Sequence, residues 1–506
     1  MKVKRLIRNI ILAVTLMLPI TSCSEWLKVE MEDGIMEDAL FEDNEGYLAV
    51  LNGVYSKMNQ SYSSFLSMGA IDVMAQYYNV QRNSEHPYYV YANYKYDDTI
   101  FDSASGALWS NLYSLILNLN VLLENCDSGD SALSKQYYGI VKGEALALRA
   151  MMHFDMLRLY GPIYSESTAE QRAIPYLKDT ERVMQEILSA SKVVEFILGD
   201  LSEASKLLED DPIRTEGVNS SDVTYENNDF RYRQYRLNYY AVQGLLARVY
   251  MWIGEKEKAH STALNLITEI ETNETFPWVT RESVTGTATT PQDLVFSTEV
   301  MFALYNVNRE NIYDALFNQN LKGNGLSFAG GVSGSESILE SFYGIGNTND
   351  FRRTGWEQLT ESYTDESGVL QHKVVGSFMY KYKDVDFDRH FRYMIPLMRT
   401  SEMYLILAET ADNVETALSY INKVRSNRSA VDIVTSEDNE ITTEDILPLV
   451  ISEFAREVLG EGQLFFLYKR LAITSFATGT AANVLFNMDL PNYVVPLPTI
   501  ETNIRE

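Results

Sequence analysis

The stretch VKGEALALRAMMHFDMLRLYGPIY, residues 141–164, decides the architecture. Val141, Ala145, Leu148, Met152, Met156 and Leu159 recur at steps of three and four, which puts them on one stripe of a helix about five turns long. Gly161 and Pro162 end it. Residues 237–253 repeat the design, with Val242, Leu245, Val249 and Trp252 on a stripe and Gly254 where the helix breaks. Neither helix can bury its stripe alone, so the pattern requires a stack of helices.

Further helices read outward from these two. Residues 44–58 form a first one, with Tyr47, Leu51, Val54 and Met58 in phase, followed by 107–124 and by 181–209, the last with Ile187, Val194, Leu198 and Leu201 on one stripe. Residues 245–267 have the form of a tetratricopeptide-type hairpin: bulky residues first, Gly254 at the turn, and Ala259 where the helices cross closely. Residues 403–424 are a shorter version with Ala408 and Ala417, 446–471 a final helix, and 493–498 an extended end. The expected fold is mostly α, a tetratricopeptide-like helical-repeat scaffold.

Two regions break this pattern. Residues 76–98 lose periodicity and crowd in Tyr77, Tyr78, Tyr88, Tyr89, Tyr91, Tyr94 and Tyr96. Residues 272–392 lose it too, gain Gly and Asn, and carry Trp278, Tyr343 and Trp356. No long Gly/Ser or Pro linker divides the 506 residues, so the chain reads as one body. Its parts are a helical scaffold over 44–271, a loop-rich ligand-binding insert over 272–392, and a last repeat with C-terminal helix and tail over 393–506. With 33 tyrosines, more than an ordinary core uses, some rings face water. Rings in loops suit a neutral, hydroxylated ligand, because flat apolar faces lie against sugar C–H surfaces at low entropic cost. Tyr77, Tyr78, Tyr88, Tyr89, Trp278, Tyr343 and Trp356 are the candidate ligand-binding rings. The competing reading of each is a ring packed against the scaffold.

The N-terminus has the form of an export signal. Lys2, Lys4, Arg5 and Arg8 precede an apolar run over residues 10–20, which at 11 residues is too short to span a bilayer. Ile20-Thr21-Ser22-Cys23 resembles the lipobox of bacterial lipoproteins, in which the cysteine is acylated and becomes the new N-terminus. Residues 1–22 are then a signal peptide and the acidic 23–43 a lipidated tether. Loss of those four cations takes the formal charge from −28 to −32, a field that repels nucleic acid and anionic lipid surfaces. With Cys23 acylated only Cys126 remains, which excludes an intrachain disulfide.

No catalytic constellation emerges. His86, His153, His260, His372 and His390 are scattered, without H-E-x-x-H or paired cysteines for zinc. Residues 331–335, GVSGS, miss the nucleophile elbow at their fifth position and read as a surface turn. Asp384, Asp386 and Asp388 open like a calcium loop, but Arg389 replaces the turn glycine and Ile395 the closing glutamate, leaving an exposed acidic turn. Arg149, Asp155 and Arg158 follow one another at intervals of one or two helical turns and suggest a structural ion-pair network. The expectation is no enzyme, no cofactor and no metal.

Several stretches, in order, resemble the SusD/RagB family of outer-membrane nutrient-binding lipoproteins. They are Cys23-Ser24-Glu25-Trp26-Leu27, W-x₃-Y-x₂-I-x₃-N over 109–120, EALALRAMMHFDMLRLYG over 144–161, and Ala247-Arg248-Val249-Tyr250. They continue with RTSEMYLILAE over 399–409, Ile421-Asn422-Lys423-Val424-Arg425, EFAREVLGEG over 453–462, and Pro496-Leu497-Pro498. The chain departs from the pattern at Leu464 and Leu467, where the family usually has Arg and Asp, and at Ile504, in place of Pro after Asn503. The resemblance implies a lid over a SusC-like TonB-dependent barrel transporter. It also implies capture of a glycan, or alternatively a peptide, on loops from the two aperiodic regions, and attachment to outer-membrane lipid through acylated Cys23. A scaffold binding protein alone is the further alternative, and the tyrosine-rich loops argue against it.

Overall fold

The computed structural model describes residues 40–505 except 130, 182, 220–227, 331–336, 345, 366, 386–387 and 438–439. The signal, Cys23, most of the tether, the 331–335 turn and Asp386 lie outside the described residues.

The scaffold is built from α1 (Asn44–Tyr62), α2 (Thr99–Cys126), α3 (Lys135–Tyr160), α4 (Ala190–Leu207), α5 (Tyr239–Trp252), α6 (Lys256–Asn273), α7 (Thr400–Glu409), α8 (Val414–Ser426), α9 (Thr443–Glu457) and α10 (Leu464–Arg470). Packing follows chain order, as in a solenoid: α3 lies against α2 and α4, α5 against α4 and α6, α6 against α7, and α7 against α8 and α9. Gly254, at φ +80°, makes the α5–α6 turn, and buried Ala259 lets the pair approach.

At the centre is α3, buried from Ile140 to Tyr160 on every side. A helix closed off all round must satisfy its charges internally. Glu144 pairs with Arg233 and Arg236, Arg158 with Asp155, and Arg149 donates to both oxygens of Asp200 at 2.7 and 2.8 Å. Arg149 is therefore tied to α4 rather than into one cluster with Asp155 and Arg158. His153 stacks on Tyr176 at 3.8 Å, donates to Arg149 O and accepts from Leu177 N–H. Burial lowers its pKa to about 3, so it is a neutral structural residue.

Two helices are shorter than their periodicity suggests. Residues 183–188 have no helical structure, and α4 begins only after Ser189, which bridges Arg172 and caps the helix by accepting from Lys192 N–H. The stretch 446–471 is two helices, because Gly460 and Gly462 take φ of +79° and +72° and donate their N–H groups to buried Asp72 at 2.7 and 3.1 Å.

Between α6 and α7 the chain forms β1 (Val300–Tyr305), β2 (Ser327–Ala329), β3 (Trp356–Thr364), β4 (Leu370–Met379) and β5 (Met394–Arg399). β1 pairs antiparallel with β5, β4 lies between β2 and β3, and β5 runs directly into α7. Near the C-terminus, β6 (Ser475–Thr478) and β7 (Ala481–Asn487) make a hairpin.

A buried ion cluster joins these strands to the scaffold. Glu457 of α9 accepts from Arg352 and Arg428 on one oxygen and from Arg399 and Arg428 on the other, at 2.8–2.9 Å. Glu453 takes Arg352, Arg425 and Arg456; Arg352 also holds Asp350; Arg428 also holds Glu299; Glu461 receives Arg399 and Lys381. Burial pushes the Glu457 pKa up, but Arg428 and Arg399 outweigh it and hold the carboxyl well below the usual range. Glu457→Gln should then cost about 3–5 kcal/mol at pH 7, read by urea denaturation, because it leaves arginines buried without their counter-charge. The depressed folded pKa means that, on acidification, the unfolded chain takes up the proton first. Glu457's contribution is complete above the ordinary glutamate pKa of 4.5 and is lost as pH falls through the folded value, so the wild-type advantage over the variant should shrink below pH 4.5.

Candidate ligand-binding face

The two aperiodic regions meet in space. Asn79 N–H donates to Ser327 O at 2.8 Å and Asn83 Nδ2 to Gly323 O at 3.1 Å, joining the tyrosine-rich loop to the insert. The loop is braced from within: Gln76, at φ +61°, donates to Ala92 O and to the Tyr94 hydroxyl, which donates to Met74 O.

The predicted rings divide by burial. Tyr77, Tyr78 and Tyr343 lie in the core rather than on an open face, although Tyr77 is also in the wall of a cavity of about 480 Å³ and Tyr343 of one of about 40 Å³. Tyr77 donates to Ala455 O, Tyr78 packs on Phe317, and Tyr343 receives the Trp356 Nε1–H at 3.0 Å. Trp356 is half-buried against Phe328, with ring centres 4.3 Å apart. Trp278, also half-buried, covers the ion cluster, lying over Arg428 and beside Tyr404 at 5.1 Å from each. Tyr88 and Tyr89 are half-buried on the loop. Tyr88 packs toward Tyr91, and burial pushes its hydroxyl up to about 12, while Tyr89 carries the Lys95 ammonium over its ring.

The most open ring cluster is elsewhere. Tyr305, at the end of β1, is 52% exposed, with Tyr235 and Tyr393 standing edge-on at 5.4 and 5.3 Å. The β1–β5 pairing creates this platform by bringing Tyr305 beside the residue preceding β5. Tyr235 fixes its far side by donating to His390 O. Sequence reading passed over Tyr305, although its place at the end of an apolar run, before Asn306, marks a strand emerging into solvent.

A cleft of about 410 Å³ lies between residues 285–295 on one side and Tyr380, Lys381, Lys383, Asp384, Val385 and Phe391 on the other. Thr287, Thr290, Gln292, Tyr380, Asp384 and Arg309 are in its wall. The connection runs through Arg392, which lies over Tyr393 at 5.4 Å and donates to both oxygens of Asp384 at 2.8 and 2.6 Å. These bonds hold the Asp384 carboxyl below its ordinary range. Among the described residues, no group of three or more His, Cys, Asp or Glu is placed to hold a metal.

A family model described as "Starch-binding associating with outer membrane" matches residues 25–251, and the SusD family model matches residues 336–490. The chain belongs to the SusD/RagB family. SusD-like protein P38 of Formosa agariphila is 26% identical over 248 residues, 49% of this chain and 42% of that protein, so the match spans under half of the relative's length. Among solved structures, a SusD superfamily protein from Bacteroides vulgatus superposes with a TM-score of 0.64 at 18% identity, covering 92% of this chain and 98% of the other. A SusD-like carbohydrate binding protein from the same species gives 0.60 at 18% identity, covering 85% and 84%. The SusD-like fold, with its tetratricopeptide-like helices, is thus shared although few residues are.

Burial makes a stability prediction that separates the rings. Tyr78→Ala and Tyr343→Ala should each cost about 3–5 kcal/mol by leaving cavities in the core, and Trp278→Ala should lower the melting temperature by exposing Arg428. Tyr89→Ala and Tyr305→Ala should stay within about 0.5 kcal/mol of wild type. Differential scanning fluorimetry and urea titration measure both sets.

Proposed function

We propose that the chain is a non-enzymatic glycan-binding lipoprotein of the outer membrane, anchored through acylated Cys23 and facing the cell exterior, which delivers its ligand to a SusC-like TonB-dependent transporter. The observation that carries this reading is the exposed tyrosine platform set against a polar cleft in the insert. A glycan presents C–H faces and hydroxyls together. Tyr305 and Tyr393 supply surfaces for the first, while Thr287, Thr290, Gln292 and Asp384 supply donors and acceptors for the second. The starch-binding description of the matched family and the carbohydrate-binding protein of similar fold support the ligand class. Tyr88 and Tyr89 form a second patch of half-buried rings on the loop that the insert braces. The helical scaffold offers the surface for the transporter, and a lid over a large barrel needs an interface well above the ~1,600 Å² standard size.

Isothermal titration against a panel of polysaccharides tests the ligand. Tyr305→Ala should weaken binding by about 2 kcal/mol if its ring is central to the site. Unchanged affinity in Tyr305→Ala and Tyr393→Ala together with a loss in Tyr89→Ala would move the site to the loop; binding of peptides with no glycan bound would replace the ligand class.

Anchoring and partnership are tested in cells. A fatty-acid analogue should label the wild type and not Cys23→Ala, and purification in mild detergent should recover a large barrel protein with the wild type. Equal labelling of both forms, or repeated recovery of the chain alone, counts against those two parts of the reading.

A further inference from the structure

The open ring of the platform is aimed by its backbone. Tyr305 is 52% exposed at the last position of β1, and its aromatic neighbours meet it edge-on. A residue so open at a strand end frays unless its peptide groups are fixed. Here they are. The Tyr305 carbonyl accepts from Asn59 Nδ2 at 3.0 Å, across 246 positions of sequence, and the N–H of the same peptide unit, that of Asn306, donates to Tyr393 O at 2.8 Å. Two bonds of opposite sense thus hold one planar unit, from α1 on one side and from a platform residue on the other. Because Leu304 and Tyr305 are paired with Ile395 and Met394 in the β1–β5 ladder, that plane sets ψ of Tyr305 and with it the direction of the side chain.

Asn59 belongs to a linked set of hydrogen bonds at the end of α1. Its Oδ1 accepts from Ser63 Oγ at 3.3 Å, Ser63 Oγ accepts from Asn306 Nδ2 at 2.7 Å, and Asn306 Oδ1 accepts from Asn308 N–H at 2.8 Å. The set is closed, since Asn59 returns to the carbonyl that precedes Asn306. Ser63 and Asn306 are buried, and Ser63 stands where α1 passes into a π-helical turn over Ser64–Met68. The second Nδ2 hydrogen of Asn59 goes to Ser56 O at 3.1 Å. Both of its donors are therefore engaged, so its amide acts on a ligand only through Tyr305. A half-buried asparagine on a helix needs no distant partner for its own sake, and the bond to Tyr305 O serves the strand rather than α1.

We propose that Asn59 is a positioning residue of the ligand platform, which with Ser63 and Asn306 sets the Tyr305 ring from the scaffold helix α1. The inference rests on Tyr305 being the ring that meets the glycan and adds what aims it. A ring already in place binds without the cost of ordering a strand end, so the network raises affinity although none of its members touches the ligand.

The test is a double-mutant cycle, read by isothermal titration of the full chain with the tightest binder among soluble starch, a β-glucan, a mannan and a xylan. Asn59→Ala should weaken binding about threefold to tenfold, the effect of one lost hydrogen bond. Made in the Tyr305→Ala background, the same change should alter affinity by less than about twofold, because a residue that acts through the ring has nothing left to aim. Ser63→Ala, which opens the network on its far side, should weaken binding in the same way and also lose its effect without Tyr305. A second readout is spectroscopic: with fluorotyrosine incorporated, the fluorine resonance that Tyr305→Ala removes should shift in Asn59→Ala. If Asn59→Ala does not fold, as judged by circular dichroism, Asn59→Leu, which keeps the volume, and Ser63→Ala decide. Unchanged affinity in the Asn59 and Ser63 variants, an equal loss with and without Tyr305, or an unmoved resonance overturns the proposal and leaves the platform standing. Unchanged affinity in Tyr305→Ala, or binding of no saccharide, removes the platform reading and this inference with it.

Discussion

Glu457 and the charges around it set the condition that the rest of the molecule must meet. Five carboxylates, Asp350, Glu299, Glu453, Glu457 and Glu461, are sealed among Arg352, Arg399, Arg425, Arg428, Arg456 and Lys381. Buried charges tolerate few arrangements, since a displaced member leaves partners unpaired in a medium of low polarity. The participants come from the insert, from the junction of β5 with α7, and from α8, α9 and the turns after each. Their mutual satisfaction therefore fixes the insert on the scaffold as well as stabilising the helices. Trp278 and Phe296, each over Arg428, close the cluster to water.

This rigidity is what gives the loop-built face a definite shape. β5 ends at Arg399 inside the cluster and begins beside Tyr393 at the platform, so one short strand links the charged core to the open rings. Antiparallel pairing then holds Tyr305 in place on β1. Arg309 extends the same logic to the cleft, bracing the carbonyls of Lys383, Phe391 and Met394. A ligand meeting this face would encounter groups already in position, which lowers the ordering cost of binding.

Helical periodicity was legible at once, because an apolar stripe at steps of three and four has few other uses. It overran where local chemistry intervened: Ser189 starts α4 later than the stripe implies, and Asp72, distant in sequence, draws Gly460 and Gly462 out of the helical path. The candidate rings were harder. Loss of periodicity in 76–98 marked irregular backbone, not exposure, and tyrosine is amphipathic enough to serve inside once its hydroxyl finds a carbonyl, as Tyr77 does at Ala455. Tyr343 went the same way at Arg352 O, and Tyr78 is buried by packing on Phe317 with no partner for its hydroxyl, whereas Tyr305, placed unremarkably at a strand end, became the open ring.

What the amino-acid sequence determined by itself was the helical scaffold, the two long aperiodic regions and the family to which the chain belongs, all carried by short-range patterns that neighbouring residues express. The tertiary structure alone decided which rings face water, that Tyr235, Tyr305 and Tyr393 share a platform, and that Arg309 lies buried and braces three backbone carbonyls. The physical reason is that burial and charge pairing depend on residues separated by tens to hundreds of positions, as Asp72 and Gly460 are, and those distances close only when the chain has folded.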